Sequence, residues 1–271
     1  MDEWESKAII RDTFNLVSNG YDNDALRFFR DSAEYMAACF DLRGDELVLD
    51  VATGTGGLAL ELAERLPRGR VTGVDFSEGM LGQATKKAAG RNARNVDFIE
   101  MDMQALEFGN DYFDAASCAF GIFFVEDMAG QLNHIADKVK PGGKIVVSSF
   151  YKNSFLPLLE CLYSQIEAYG VHLTTPAWDK LSTEEKCATL YEKAGLQEVR
   201  IVRRAAGYYL SSPDDWWSVL FDAGYRRVLN RLSPAALNAF KREHLDKIEE
   251  FSTKDGIWLD VTVLYATGSK P

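Results

Sequence analysis

The sequence is poor in the residues that build metal centres and disulfide frameworks. Its 271 residues include only three histidines and four cysteines, and the cysteines are far apart, with no C-x-x-C pair. Such spacing argues against a structural zinc site and is typical of reduced thiols. The acidic residues and histidines show no metal-ligand spacing either. We therefore expect no metal cofactor.

Basic residues and long apolar runs are also scarce. Lysine and arginine number 30 against 41 acidic residues, which gives a net charge of −11. A surface of that sign repels phosphate backbones, so nucleic acid is not expected as a partner. No apolar run approaches the roughly 18 residues of a membrane span, and the acidic N-terminus, M-D-E-W-E-S-K, is unlike a signal peptide. We expect a cytoplasmic monomer or homodimer with no membrane span, acting on a small molecule.

What the sequence does contain is a regular alternation of β-prone runs and amphipathic segments. The predicted strands are 46–51, 70–75, 96–101, 112–119, 144–150, 197–205 and 257–266. Helical patterns separate the early strands, which favours right-handed crossovers. The prediction is an α/β fold with a seven-stranded, mainly parallel sheet and helices on both faces.

The most informative segment is L-V-L-D-V-A-T-G-T-G-G-L-A-L, at 47–60. It predicts a strand, a glycine turn and a helix. Gly54 and Gly56 allow a ligand to approach the backbone, and the helix N-terminus offers free N–H groups. Asp75 ends the next strand, 21 residues after Gly54, where a carboxylate can accept both hydroxyls of a ribose. The pattern indicates a nucleotide-like ligand.

Two such ligands fit the turn. Gly54, Gly56 and Ala59 match the G-x-G-x-x-A form of the dinucleotide fingerprint, which would make the protein an NAD-dependent oxidoreductase. Asp50, immediately before the turn, would oppose the charge of a pyrophosphate. It suits the ammonium and sulfonium groups of S-adenosylmethionine (SAM). We therefore favour SAM, and hence methyl transfer.

Two later strand ends support the same choice. Asp102 with Met103 follows the third strand and offers an acceptor for an adenine amine beside an apolar platform. Phe120 and Gly121 follow the fourth strand and would form the wall on the methyl side. Four strand ends thus supply an amino-acid site, a ribose site, an adenine site and a methyl-side wall in order.

These motifs as a set resemble those of class I SAM-dependent methyltransferases. The segments are L-V-L-D-V-A-T-G-T-G, V-T-G-V-D-F-S-E-G-M-L, E-M-D-M-Q-A-L-E-F, F-D-A-A-S-C-A-F-G and V-K-P-G-G-K. The chain is most similar to the ubiquinone/menaquinone-biosynthesis C-methyltransferase branch, and F-N-L-V-S-N-G-Y-D at 14–22 resembles that branch's N-terminal signature. The resemblance covers roughly residues 10–150 and implies a Rossmann-like fold.

The resemblance implies a role for each matching residue. The residues at 50, 53, 54 and 56 would line the methionine part of SAM, those at 75 and 76 the ribose, and those at 80, 102 and 103 the adenine, with the residue at 21 as a cover. The predicted cofactor-binding set is Tyr21, Asp50, Ala52, Thr53, Gly54, Thr55, Gly56, Asp75, Phe76, Met80, Asp102, Met103, Ala119 and Phe120.

The chain departs from the family pattern in two places. Ala52 replaces the first glycine of the usual motif, which is tolerable if φ is negative there. Ile122, Phe123 and Phe124 follow F-G where the quinone enzymes carry a polar L-R-N sequence. The second departure leaves the quinone-precursor substrate unsupported without affecting the cofactor.

We expect one methyltransferase domain over 1–271. Residues 1–45 would form an N-terminal helical cover, 46–150 the SAM-binding core, and 151–271 a helical substrate cap with closing strands. The cap is rich in aromatic residues, which suggests a small, largely apolar or aromatic acceptor.

In-line methyl transfer needs positioning in a dry cavity, and a base only if the acceptor keeps its proton. His172 is the preferred base candidate, with Tyr21 and Tyr209 as alternatives, whereas His134 and His244 are expected at the surface. A SAM-binding protein without transferase activity remains an alternative function.

Overall fold

The computed structural model describes residues 3–173 and 175–271. Its strands are β1 (Leu47–Val51), β2 (Arg70–Asp75), β3 (Val96–Glu100), β4 (Phe113–Ala119), β5 (Val139–Phe150), β6 (Gln197–Ala205), β7 (Tyr208–Leu210), β8 (Ile257–Leu259) and β9 (Thr262–Ser269). Its α-helices are α1 (Glu3–Val17), α2 (Phe28–Ala38), α3 (Gly57–Glu64), α4 (Glu78–Gly90), α5 (Met128–Lys138), α6 (Leu158–Glu167), α7 (Glu184–Lys193), α8 (Pro213–Phe221), α9 (Arg226–Leu229) and α10 (Pro234–Glu249).

Seven strands form one sheet in the order β3-β2-β1-β4-β5-β9-β6. The pairs from β3 through β5 are parallel, and β9 runs antiparallel to β5. The strand order reverses between β1 and β4, so right-handed crossovers before and after the reversal place helices on opposite faces. The predicted α/β sheet with helices on both faces is therefore confirmed. Ligands of such sheets bind at the carboxyl ends of the strands beside the reversal.

The strands nearest the reversal are buried on both faces. Leu49, Val51, Cys118 and Val147 are buried in one hydrophobic cluster with side chains from α5 and α7. A parallel strand covered by helices on both sides is mostly apolar, and in β1 Asp50 is the one polar residue. The strand ends are thereby fixed relative to one another.

Two compact units divide the chain. The first comprises 1–28, 153–176 and 205–262, and the second comprises 29–152, 177–204 and 263–271, which hold the seven-stranded sheet. The first unit contains α1, α6, α8, α9 and α10 with the two-stranded β7–β8 sheet. The single domain over 1–271 with its three parts stays a prediction. Among the described residues no helix is long and apolar enough to cross a membrane.

The predicted last strand, 257–266, is two strands in the structure. β8 pairs antiparallel with β7 in the first unit, whereas β9 pairs with β5 in the large sheet. The carbonyl groups of Asp260 and Val261, between the two strands, accept hydrogen bonds from the backbone of Phe155 and Ala206. Because these groups are bonded elsewhere, a single ladder cannot run through this position.

Three other predicted boundaries shift for local reasons. K-P-G-G at 140–143 lies inside β5 rather than before it, where the ladder with β4 changes register. The residue pattern at 154–169 predicts a helix from residue 154, but the helix begins at Leu158, because the residue before Pro157 is disfavoured in the helical region. Ser182 and Glu185 match a capping box, which predicts Ser182 as the cap of α7. The cap is instead Thr183, and the Ser182 hydroxyl donates to the carbonyl of Asp179 at 2.9 Å.

Candidate active site

The glycine turn between β1 and α3 is tied to the neighbouring strand. The amide of Thr53 donates to the carbonyl of Val74 at 2.9 Å. Gly56 is the N-cap of α3 with φ of +76°, and a Cβ there would lie 2.7 Å from the Phe98 ring. Only glycine fits this combination of left-handed backbone and close packing. The turn therefore holds the N-terminus of α3 at the carboxyl end of the sheet.

Asp50 is buried at the end of β1 and is bonded inside the protein. One carboxylate oxygen accepts from the Thr53 hydroxyl at 2.6 Å, and the other from the Ser117 hydroxyl at 2.7 Å. Only 1% of Asp50 is exposed, and burial raises the pKa of its carboxyl to about 6. Asp50 thus anchors the turn to β4. The predicted contact with the ammonium group of SAM stays a prediction.

Asp75 ends β2 and meets the same turn from the other side. Its carboxylate accepts from the amide of Gly54 at 2.9 Å and from the amide of Ser77, which caps α4, at 2.9 Å. Burial raises the pKa of Asp75, and its negative charge further raises the pKa of Asp50. Neither carboxylate forms an ion pair with any residue in the described part of the chain.

This pair of buried carboxylates fits a cationic ligand. Two acids without a counter-charge create a negative potential, which SAM would relieve and a pyrophosphate would worsen. Gly54 lies between them with φ of +55°, and a Cβ built on it would meet no atom within 4 Å. The turn is thus open where backbone and ligand would approach. The residues present fit SAM on both charge and space.

The backbone of Ala52 differs from the sequence-based expectation of a negative φ. Its φ is +54°, in the left-handed region, where we had required a negative value. A side chain with a Cβ costs about 1–2 kcal/mol in that conformation. Its methyl group lies against Gly121, since a Cβ on Gly121 would be 2.6 Å from the Ala52 Cβ. The departure from the glycine motif is therefore accommodated by a glycine on the β4 side.

The turn after β3 carries the predicted adenine residues. Asp102 caps a short 3-10 helix, Met103–Ala105, by accepting from the amide of Gln104 at 2.9 Å. Asp102 and Met103 are half-buried. Met80, in contrast, is only 1% exposed, so its side chain belongs to the protein interior here.

An aromatic cluster lies at the carboxyl ends of β4 and β5. Phe120, directly after β4, stacks on Phe150 with ring centroids 4.6 Å apart. Phe29 meets Phe120 edge-on at 5.3 Å, and Trp178 meets Phe150 edge-on at 6.0 Å. Phe29, Phe120 and Trp178 are half-buried, whereas Phe150 is buried. We call these four residues the aromatic wall.

The remaining predicted set lies around these elements. Thr53 and Thr55 are buried in the glycine turn, and the Thr55 hydroxyl accepts from the Lys87 ammonium at 2.9 Å. Phe76 and Ala119 are half-buried at the ends of β2 and β4. Tyr21 belongs to the other compact unit, where its ring lies edge-on to Phe14 at 6.3 Å.

Two histidines expected at the surface are bonded within the protein. His244 is 0% exposed: the Trp216 indole donates to its Nε2 at 2.9 Å, and its Nδ1 lies 2.5 Å from the Gln165 side-chain oxygen. The Nε2 of His134 accepts from the amide of Leu106 at 3.0 Å. The expectation was wrong for His244, whose ring meets two segments distant in the sequence, whereas His134 is half-buried.

The candidate bases lie in the first unit, where His172 and Tyr209 are exposed and Tyr21 is half-buried. The side chain of His172 is 80% exposed, with its Nδ1 3.4 Å from a Glu167 carboxylate oxygen. Tyr209 is exposed on β7, where its ring lies edge-on to Trp258 at 5.0 Å. Their catalytic role, like that of Tyr21, stays a prediction.

Ser117 is the site residue that sequence reasoning missed. It lies directly opposite Asp50 in the β1–β4 register, which is why its hydroxyl reaches the carboxylate. The signal was present as the serine in F-D-A-A-S-C-A-F-G, but only the strand register identifies its partner.

Comparison with known proteins places these motifs in a family. Residues 48–143 match the methyltransferase domain family. The ubiquinone/menaquinone biosynthesis C-methyltransferase UbiE of Geobacter sulfurreducens is 37% identical over 180 residues, covering 59% of this chain and 70% of the relative. That of Serratia proteamaculans is 32% identical over 175 residues, covering 62% and 68%. The chain belongs to the class I SAM-dependent methyltransferases.

The fold of this methyltransferase is shared by more distant members. Phosphoethanolamine N-methyltransferase 2 of Haemonchus contortus, solved with phosphomonomethylethanolamine and S-adenosylhomocysteine, superimposes with a TM-score of 0.56 at 17% identity, over 91% of this chain and 56% of that one. Members of this family use SAM as the cofactor, so the alternative of an NAD-dependent oxidoreductase is not supported. The enzyme transfers a methyl group from SAM to a small molecule.

Proposed function

We propose that this methyltransferase acts on a small, largely apolar or aromatic acceptor that lies against the aromatic wall. The observation that carries the proposal is the position of Phe120, which directly follows β4 beside the glycine turn and stacks on Phe150. Flat apolar ligands bind such walls through area burial and edge-to-face contacts. Ile122 and Phe123, which replace polar residues of the quinone enzymes, are buried and thus belong to the protein interior.

We propose that Asp50, Asp75 and Asp102 serve the methionine, ribose and adenine parts of SAM. Bound SAM supplies an electrophilic methyl group on a sulfonium. Support for the assignment comes from the uncompensated charge of Asp50 and Asp75, the open backbone at Gly54, and the half-buried Asp102. Asp50 would act through the potential of its buried carboxylate, since hydroxyl groups already occupy both of its oxygens.

In this proposal the chain contributes mainly position and exclusion of water. The glycine turn fixes the donor, and the aromatic wall orients the acceptor for an in-line displacement. The predicted bases, His172, Tyr21 and Tyr209, would act only on an acceptor that enters protonated. A cytoplasmic location, the monomeric or homodimeric state and the lack of a nucleic-acid partner stay predictions.

The proposal is tested by turnover with methyl-labelled SAM against phenols, quinols, amines and aliphatic alcohols. We expect transfer to aromatic acceptors, with the methylated atom identified by NMR of the product. Trp178→Leu should raise the acceptor KM by about tenfold, since an aromatic contact of about 1–1.5 kcal/mol is lost, and leave the SAM dissociation constant unchanged. Tyr112→Leu, an exposed aromatic outside the wall, is the matched control.

Two results would contradict the proposal. Preferential turnover of aliphatic alcohols would exclude an aromatic acceptor. Tight SAM binding with no transfer to any acceptor would favour the alternative of a SAM-binding protein without transferase activity.

A further inference from the structure

The turn after β3 is held from outside by two side chains of α5. Gln131 donates from its side-chain nitrogen to the carbonyl of Met103 at 2.7 Å. His134 accepts from the amide of Leu106 at 3.0 Å through Nε2. The two residues are three positions apart on a helix and so share one face. This face therefore holds both ends of the Met103–Ala105 turn.

The bonds of Gln131 and His134 differ from ordinary surface contacts. Gln131 is only 4% exposed, so leaving its amide unpaired would cost the desolvation of a buried polar group. Burial and the nearby Lys138 lower the pKa of His134, and a neutral ring is what an acceptor at Nε2 requires. Gln131 thus supplies the donor for a backbone carbonyl of the turn, and His134 supplies the acceptor for a backbone amide.

The orientation of Asp102 depends on this attachment. The amide of Gln104 donates to the Asp102 side chain, and the amide of Ala105 donates to the Asp102 carbonyl. The orientation of the carboxylate is therefore coupled to the backbone of this segment. A shift of the turn would move the carboxylate by a similar distance. Hydrogen-bond recognition is lost over displacements of about 1 Å.

We propose that Gln131 and His134 are positioning residues that give this methyltransferase its selectivity for the adenine amine of SAM. The inference rests on the proposed adenine site at Asp102 and Met103. The two residues do not touch the ligand, and act by fixing the turn that carries Asp102.

Two product analogues separate this role from general stability. S-adenosylhomocysteine carries the exocyclic amine, and S-inosylhomocysteine carries a carbonyl oxygen in its place, which a carboxylate repels. The ratio of their dissociation constants, from calorimetric titration, measures recognition of the amine. For the unmodified enzyme we expect a preference of about tenfold or more for the adenosyl compound.

Substitutions on α5 should change this ratio. Gln131→Met and His134→Leu remove one bond each at similar volume, and each should lower the preference about fivefold, the factor that corresponds to about 1 kcal/mol. His134→Gln retains an acceptor oxygen and should restore the preference. Asn133→Ala, at an exposed position of the same helix, should leave both constants unchanged.

The outcomes distinguish this inference from the function on which it rests. If Asp102→Ala leaves the ratio unchanged, the adenine site is misplaced. If Asp102→Ala abolishes the preference but Gln131→Met and His134→Leu keep it, the inference is overturned. Asp75→Asn should weaken both analogues equally. An equal loss in the α5 variants would therefore indicate a purely structural role and would also overturn it.

Discussion

The methyl group of Ala52 fills the space that a side chain at position 121 would need. Ala52 has φ of +54°, and a Cβ on Gly121 would lie 2.6 Å from its methyl group and 3.1 Å from the Cys118 sulfur. Gly121 itself has a negative φ of −112°, so alanine is excluded there by the neighbouring methyl group rather than by backbone strain. The pair behaves as one packing unit.

A double-mutant cycle tests this dependence. Gly121→Ala alone should lower the free energy of unfolding by about 1–3 kcal/mol through overpacking. Ala52→Gly alone should change it by less than about 1 kcal/mol, because relief of the left-handed alanine opposes greater freedom of the unfolded chain. In the double variant, Ala52→Gly should restore much of the stability lost through Gly121→Ala. The coupling free energy between the two substitutions should be about 1 kcal/mol or more. Additive values in urea unfolding would contradict the packing argument.

The buried carboxylate of Asp50 lowers the stability of the folded protein at neutral pH. The folded carboxyl has a pKa of about 6, against an ordinary value of 3.8. Between these values the folded protein holds a proton that the unfolded chain has released, so stability falls as pH rises from 3.8 through 6. The difference corresponds to about 3 kcal/mol. At neutral pH the enzyme without ligand therefore contains a destabilising charge.

Asp50→Asn should remove the destabilisation that the buried charge causes at neutral pH. It should also remove the electrostatic attraction between this carboxylate and SAM. We expect the variant to be as stable as the wild type at pH 4, relatively more stable at pH 7, and to bind SAM about tenfold or more weakly. Urea unfolding at the two pH values and calorimetric titration measure the two effects. Asp97→Asn is the control: its partner Arg70 lowers the pKa of Asp97, so its loss cannot stabilise the protein at pH 7. Unchanged SAM affinity in Asp50→Asn would refute the electrostatic role.

Among the secondary-structure elements, α6, α8 and α10 meet at one buried histidine. His244 on α10 accepts from the Trp216 indole on α8 and bonds to Gln165 on α6. The Trp216 donor requires an unprotonated Nε2, so the proton of the neutral ring lies on Nδ1 and points to the Gln165 oxygen. Burial lowers the pKa of His244 to about 4. Protonation would break the bond to Trp216.

This histidine should make the first unit sensitive to acid. Its pKa is lowered on folding from an ordinary 6.5, so its contribution is complete above pH 6.5 and is lost as pH falls towards 4, by up to about 3 kcal/mol. His244→Gln keeps an acceptor for Trp216 and a donor for Gln165 without titrating, and should flatten the dependence between pH 6.5 and 4. Urea unfolding followed by tryptophan fluorescence measures it. His172→Gln, at an exposed histidine, should behave as wild type, and an unaltered slope in His244→Gln would contradict the assignment.

How far each element could be predicted depends on the distance between the groups that determine it. β2 and β6 have the predicted bounds, because hydrophobic periodicity is a local property. Capping is local too: the serines directly before α4, α8 and α10, a residue type that favours N-caps, are the N-caps of these helices. The bond of His244 to Gln165 joins residues 79 positions apart, and no local pattern indicates it. The φ of Ala52 depends on the glycine at 121, and Ser117 depends on strand register. The chemistry at strand ends is therefore predictable, but the contacts that support it are not.

At the scale of the whole molecule, cofactor binding should connect segments that are far apart in the sequence. The proposed site draws on the glycine turn, the end of β2, the turn after β3 and the end of β4, all within the second unit. A ligand that bonds to all four raises the free energy of opening each of them. Protection of all four segments would therefore distinguish a complete SAM site from a glycine turn that binds only part of the ligand.

Amide hydrogen exchange with S-adenosylhomocysteine tests this arrangement. At ten times its dissociation constant, the ligand should slow exchange about tenfold in 52–57, 75–80, 102–106 and 118–121, where opening requires release of ligand. Segment 18–23 should also be protected, since Tyr21 is predicted to cover the cofactor, whereas α10 should exchange as before. NADH at the same concentration is the control and should protect none of these segments. Protection confined to 52–57 would contradict the four-part site, and an unprotected 18–23 would contradict the role of Tyr21 alone.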